Sequence, residues 1–246
     1  MGGLSGQSNT HTGGHLTRLP MVKWNGRGDT AVDFTLLHGS LGNLNDVFGH
    51  GWSHTYEARI THSAGVSATL RMPDGLTVPY AETSGTFTPP AGWYHTLVRN
   101  GNSTWTLTFK NQRKWNFNTA GRLSSVVDRN GNTVTVNRGT GGEITSITTP
   151  DGRALTFAYT SGRVSNITDP SSRVWSFSYN GAGQLTGVTY PALGGQNFTR
   201  QFTYNATHDI LTETDLRGNV WSWTYDSSER VTSATDPLNR MTTFAY

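Results

Sequence analysis

The sequence contains no cysteine. Disulfides and thiolate metal sites are therefore excluded, and the redox compartment stays open. Charge is also scarce. Asp, Glu, Lys and Arg supply 14% of 246 residues, and the net charge is +3. No run of Lys or Arg occurs, and a nucleic-acid surface needs clustered basic residues, so no nucleic-acid partner is expected. No apolar stretch approaches the ~18–20 residues of a membrane span. The opening MGGLSGQSNT has neither a basic start nor an apolar centre, so no signal peptide is visible. No stretch shows the period of an amphipathic helix. Neither a Gly-x-Ser-x-Gly elbow nor a Gly-x-x-x-x-Gly-Lys phosphate loop occurs.

What remains is a composition of strands and turns. There are 29 Gly, with Ser and Thr in quantity, while 8 Trp, 9 Tyr and 10 Phe can anchor a folded sheet. From Gly121 to Tyr246 one pattern is written six times: Gly-Arg-Leu-x-x-Val-x-Asp, a turn, then alternating hydrophobics ending on an aromatic. The closing tyrosines Tyr159, Tyr179, Tyr204, Tyr225 and Tyr246 are spaced 20, 25, 21 and 21. A second ruler, Asp128, Thr149, Asp169, Tyr190, Asp215 and Asp236, is spaced 21, 20, 21, 25 and 21. Two rulers in register establish an internal repeat.

Each repeat reads as two short strands joined by a turn. Asp128, Asp169, Asp215 and Asp236 stand where an Asp bonds its own backbone to form a turn. The strand after the turn alternates strictly: Leu155, Phe157, Tyr159; Trp175, Phe177, Tyr179; Trp221, Trp223, Tyr225. The strand before it does not. Leu123/Val126, Ile144/Ile147, Val164/Ile167, Leu185/Val188 and Val231/Ala234 are each three apart, which puts a pair on opposite faces of a regular strand. A β-bulge between them returns both to one face. Ile210/Glu213 departs from this rule.

These residues resemble the Rhs/YD-repeat proteins, which include bacterial polymorphic toxins, insecticidal toxin-complex shell subunits and teneurins. The Gly-Arg-Val/Leu…Asp-Pro…Arg…Phe-x-Tyr frame carries the resemblance. Upstream, Gly51, Trp52 and Tyr56 match a Gly-Trp-x-x-x-Tyr landmark that precedes the repeats in that family. The resemblance implies a hollow shell around a toxic or unfolded cargo, and a secreted or cell-surface location. It also implies a closing segment and a C-terminal toxin domain, neither of which is in this sequence. The family's self-cleaving aspartates lie beyond the repeats. Asp236-Pro237-Leu238-Asn239-Arg240 reads as an ordinary repeat turn, so that activity is not carried over.

The expected organisation is a flexible arm at 1–15, a β-hairpin region at 16–120, and the six repeats at 121–246, continuous with it. Strands are expected at Leu19–Trp24, Ala31–Leu37 and Trp52–Ile60, with further hairpins over 66–117.

Other constellations read as structural. His50, His54 and His62 lie close in sequence, but a polar strand-and-loop region explains them without a metal. The stripe Trp175, Phe177, Tyr179, Trp221, Trp223, Tyr225 reads as packed core. Arg153, Arg173 and Arg240 can lie over those rings or pair with the turn aspartates.

The expected fold is all-β: a long, twisted and curved antiparallel sheet of tandem hairpins. The expected function is a structural scaffold for encapsulation, with no enzymatic activity and no cofactor. Two alternatives stand beside it. One is a filament or adhesin that self-associates through the open sheet edge at the C-terminus. The other is a carbohydrate-binding module that holds glycans on its aromatics. A hydrolase in the upstream region is the weakest reading, because the motifs are missing.

Overall fold

The computed structural model describes residues 6–8, 11–28, 30–42 and 44–246. Of the arm expected at 1–15, residues 1–5, 9 and 10 lie outside the described residues. Among the described residues the regular structure is β throughout, without a helix. Nineteen strands, from Arg59–Ser63 to Met241–Thr243, form antiparallel sheet, each strand bonded to its neighbours in sequence.

The chain divides into two compact units. The first comprises the chain to Leu19, Leu36–Ser53 and Phe157–Tyr246; the second comprises Pro20–Thr35 and His54–Thr156.

In the second unit, hairpins follow one another from Arg59–Ser63 to Ile144–Thr148. The one strand expected at Trp52–Ile60 is two, Trp52–His54 and Arg59–Ser63. Between them the chain turns: Glu57 N donates to His54 O at 2.8 Å, and Tyr56 N to His54 Nδ1 at 3.2 Å. The interior is filled by Phe34, Tyr56, Ile60, Leu70, Tyr80, Leu107, Phe117, Leu123, Ile147 and Leu155, all buried.

In the first unit, the repeats from Arg163–Thr168 to Met241–Thr243 pair in order. Their buried face is Val164, Ile167, Trp175, Phe177, Leu185, Val188, Phe202, Ile210, Trp223 and Val231. Phe48 and Trp52 from the upstream segment complete it, and Phe48 meets Phe177 edge-on at 5.3 Å. Each such side chain contributes about 1.5–3 kcal/mol through burial, which beats the weak intrinsic preference of Ser- and Thr-rich strands.

The bulges lie where the sequence breaks its alternation. Asn116 faces Ser125 but Phe117 faces Leu123, so Ser124 is an extra residue. The same one-residue step passes over Thr145, Thr186, Leu211 and Thr232. Leu123 and Val126, Ile144 and Ile147, Leu185 and Val188 are all buried, while at the last bulge Val231 is buried and Ala234 half-buried. The irregular copy Ile210/Glu213 carries the same bulge, with both side chains buried.

Candidate functional site

The repeat has two polar corners. At the turn, Asp169 Oδ1 accepts from Ser171 N and Arg173 N at 2.9 Å each, and Oδ2 from Arg173 Nε at 2.7 Å. Asp236 repeats this with Leu238 N, Arg240 N and Arg240 Nε at 2.9, 2.9 and 2.6 Å. Asp128 and Asp215 use Asn in place of Arg: Asn132 Nδ2 at 2.7 Å and Asn219 Nδ2 at 3.0 Å reach their Oδ2 atoms. Thr149, which holds the Asp slot of its repeat, bonds Arg153 O at 2.9 Å instead. Arg153 pairs with Asp151 at 2.7 Å and donates to Asn25 O at 2.6 Å. Arg173 both pairs with Asp169 and lies 5.6 Å over the Trp175 ring. The Arg240 guanidinium holds the Asp236 carboxyl below the usual carboxylate range.

The opposite turns share the design, which sequence reading missed. Asn180 Oδ1 accepts from Ala182 N and Gln184 N at 3.1 and 3.0 Å. Asn118, Asn205 and Asp226 do the same for their own turns. The switch between Asn and Asp hid the pattern, although both side chains form such turns.

The second corner is the closing tyrosine. Tyr179 Oη donates to Val164 O at 2.9 Å, Tyr204 Oη to Leu185 O at 2.5 Å, and Tyr225 Oη to Ile210 O at 2.9 Å. Each accepting carbonyl belongs to the residue just before a bulge or its equivalent, where the ladder is interrupted and the acceptor needs a partner. Arg138 fills the same slot, and its Nε donates to Leu123 O at 3.2 Å. Burial pushes the Tyr179, Tyr204 and Tyr225 phenols up, so they remain protonated donors. Tyr159 is half-buried at the end of Ala154–Thr160. Tyr246 is 44% exposed, with the Arg230 guanidinium 5.2 Å over its ring.

The bulge also turns a backbone N–H outward. In the first unit Val164 N donates to Val47 O and Val231 N to Gly13 O, both at 3.0 Å. In the second, Leu123 N reaches Ala58 O at 3.3 Å and Gly121 O accepts from Ile60 N at 2.8 Å. Gly121 has φ +71°, and a Cβ there would stand 2.0 Å from Ile60 O, so only glycine fits.

The landmark residues take separate posts. Trp52 is fully buried, packs on Phe202 at 5.2 Å, and donates from Nε1 to Tyr204 Oη at 2.9 Å. That tyrosine passes the bond on to Leu185 O, so the landmark reads a repeat corner. Gly51, at φ +76°, lets the His38 ring approach: a Cβ would meet His38 Nε2 at 2.5 Å. In the second unit Tyr56 stacks on Phe34 at 6.4 Å, and burial pushes its phenol up to about 12.

His50, His54 and His62 each have their own neighbours. His54 lies 3.6 Å from Glu57, His62 bonds Glu82 at 2.9 Å, and His50 packs on His208 at 4.1 Å between ring centroids. Among the described residues no group of three His, Cys, Asp or Glu could hold a metal ion.

One buried ion pair explains the irregular repeat. Arg200 occupies the slot held by Trp175 and Trp221 in neighbouring repeats, and Glu213 the slot held by Val188. Arg200 Nη1 donates to Glu213 Oε1, with the side chains 9% and 1% exposed. Two exceptions to the apolar pattern thus neutralise each other.

Comparison with known families is decisive for the array. The RHS Repeat model matches residues 117–154, 159–193 and 204–241. Residues 117–241 are built of Rhs repeats. Upstream, residues 9–80 match a Domain of unknown function, DUF6531. No curated protein matches the sequence. Among solved structures, the chain is similar to the TcdB2-TccC3 crystal structure without its hypervariable C-terminal region, at 12% identity and TM-score 0.41, over 95% of this chain and 14% of that one. It is also similar to the Tc holotoxin pore of Photorhabdus luminescens carrying TccC3-D651A, at 10% identity and TM-score 0.42, over 94% and 14%. The chain therefore spans about a seventh of the length of those chains.

Proposed function

We propose that this Rhs array is a non-catalytic wall segment of a secreted or cell-surface protein that encloses a toxin or other cargo. The observation that carries this reading is what the recurring polar side chains do. The turn carboxylates hold N–H groups of their own loops, and the tyrosine hydroxyls hold carbonyls beside the bulges. Groups that could have served chemistry are bound into the wall itself. Repetition supports the same reading, because a reaction needs one site and a wall needs many equal courses.

The test uses the intact natural protein that contains this chain. Protease is added before and after mild denaturant, and the segments flanking the array are followed by mass spectrometry. Enclosure predicts that at least one flanking segment resists cleavage until denaturant opens the array. Cleavage at the same rate in both conditions would overturn enclosure and favour an adhesive or filament-forming role.

A further inference from the structure

Four histidines of the first unit lie in one connected region. His38 is 1% exposed, its ring 5.1 Å from Trp52 and 6.0 Å from Tyr204. Neither of its ring nitrogens makes a hydrogen bond of ordinary geometry. His50 stacks edge-on against His208 at 4.1 Å, and its Nδ1 is buried without a partner. His15 is 2% exposed and packs on Trp223 at 4.6 Å.

The partner of the His208 ring follows from its neighbours. Backbone N–H groups of Ala182 and Gln184 fix Asn180 Oδ1 as an acceptor. Asn180 Nδ2 then donates to Gln184 Oε1 at 2.7 Å, which leaves Gln184 Nε2 to face His208 Nδ1 at 3.0 Å. The Gln184 amide thus faces His208 Nδ1 and ties the ring to the Asn180 turn, while His50 packs on the ring. His208 occupies a turn position at φ +73°, where other turns place Gly183 and Gly218 but also Ser172, Glu229 and Asn239.

We propose that His15, His38 and His50 form a proton-operated latch, with His208 as the ring on which His50 closes: neutral, they hold Leu36–Ser53 against the repeat strands Leu185–Leu193, Gln196–Tyr204 and Ile210–Thr214; protonated, they loosen it. The groups facing the latch are few in kind. His15, His50 and His208 face His38, and like charges there repel on protonation. Arg163 acts on His50 in the same sense, while Asp209 opposes. Asp209 Oδ1 is buried without a partner, although Asn205 and Thr207 hold its Oδ2.

The sign of the effect is fixed by burial. Burial lowers His38 to about 3 and His15 to about 4, from an unfolded value near 6.5. His50 is lowered too. The backbone of His208 acts on His38 the other way. Groups depressed in this way contribute their full stability above about pH 6.5 and lose it as pH falls below that value. Burial raises Asp209, a single group that works in the opposite direction.

The test is hydrogen exchange of the chain at pH 7.5 and 5.5, corrected for the intrinsic pH dependence of exchange. Peptides covering 36–53 and 205–214 should open at least about tenfold more at pH 5.5, since one pH unit below the unfolded value is about tenfold per imidazole. Peptides covering 123–148, which contain no histidine, serve as the control and should not change. His38→Gln removes one of the lowered imidazoles and should lower the pH 5.5 to 7.5 ratio about tenfold. His50→Gln should lower it too, from the His208 face. No rise in the wild-type chain, or the same rise in both variants, would overturn the latch.

Discussion

The turns Asp169–Arg173 and Asp236–Arg240 are spelled almost alike and bonded alike, yet they stand in different surroundings. At the first, the Asp side chain is 2% exposed and its arginine lies over a buried tryptophan. At the second, the Asp side chain is 25% exposed, its arginine is 75% exposed, and Met241 beside it is 65% exposed. The repeated spelling sets geometry. The surroundings set how much free energy that geometry is worth, because an unsatisfied group costs most where water cannot replace its partner.

The sharpest way to break this comparison is at the buried ion pair. Glu213→Ala leaves Arg200 buried without its counter-charge and should cost about 3–5 kcal/mol in urea unfolding. Arg200→Leu combined with Glu213→Leu restores the apolar pattern of the neighbouring repeats and should recover most of that loss. A double variant as unstable as the single one would show that the pair is needed for more than mutual neutralisation.

Next comes the pair of turns itself. Asp169→Ala should cost about 1–3 kcal/mol, because two N–H groups and a guanidinium lose a buried acceptor. Asp236→Ala should shift the unfolding midpoint by clearly less. Equal shifts would mean that burial does not separate the two turns. The tyrosine corner gives a smaller version of the same contrast. Tyr179→Phe removes one hydrogen bond to Val164 O and should cost about 0.5–1.5 kcal/mol. Tyr246→Phe, at a ring that is 44% exposed, should leave the midpoint unchanged.

The smallest effect is in acid. Arg240 and Arg230 hold Asp236 and Asp226 below their ordinary carboxylate values. Depressed carboxylates contribute stability that is present above about pH 4 and is lost as pH falls through their folded-state values. Asp236→Asn should flatten the fall in the urea midpoint between pH 4 and pH 3, without changing its slope between pH 6 and 5.

Much of the array was legible because its departures from alternation were regular. A pair three apart in repeat after repeat announced the bulge, and Asp before Pro or Gly announced the turn. Other features needed a partner far away in sequence. Trp52 meets Tyr204 across 152 positions, and nothing local in either marks the other. Glu213 read as an exception because its partner Arg200 sat on the previous strand, an exception of its own. The Asn turns were hidden by a change of residue type that preserves the acceptor oxygen. The single strand expected at Trp52–Ile60 failed because His54 bonds the chain back on itself, and alternation does not report such a bond.

The extra residue in each leading strand also governs how such an array can change in length. It resets which way the next side chain points, so every course starts in the same phase. Copying a whole course of about 21 residues would leave each neighbour's inward and outward faces as they were. Losing Thr145 or Thr232 alone would swap them for the rest of that arm. Growth by duplication is thus permitted, and growth by single residues is penalised at once.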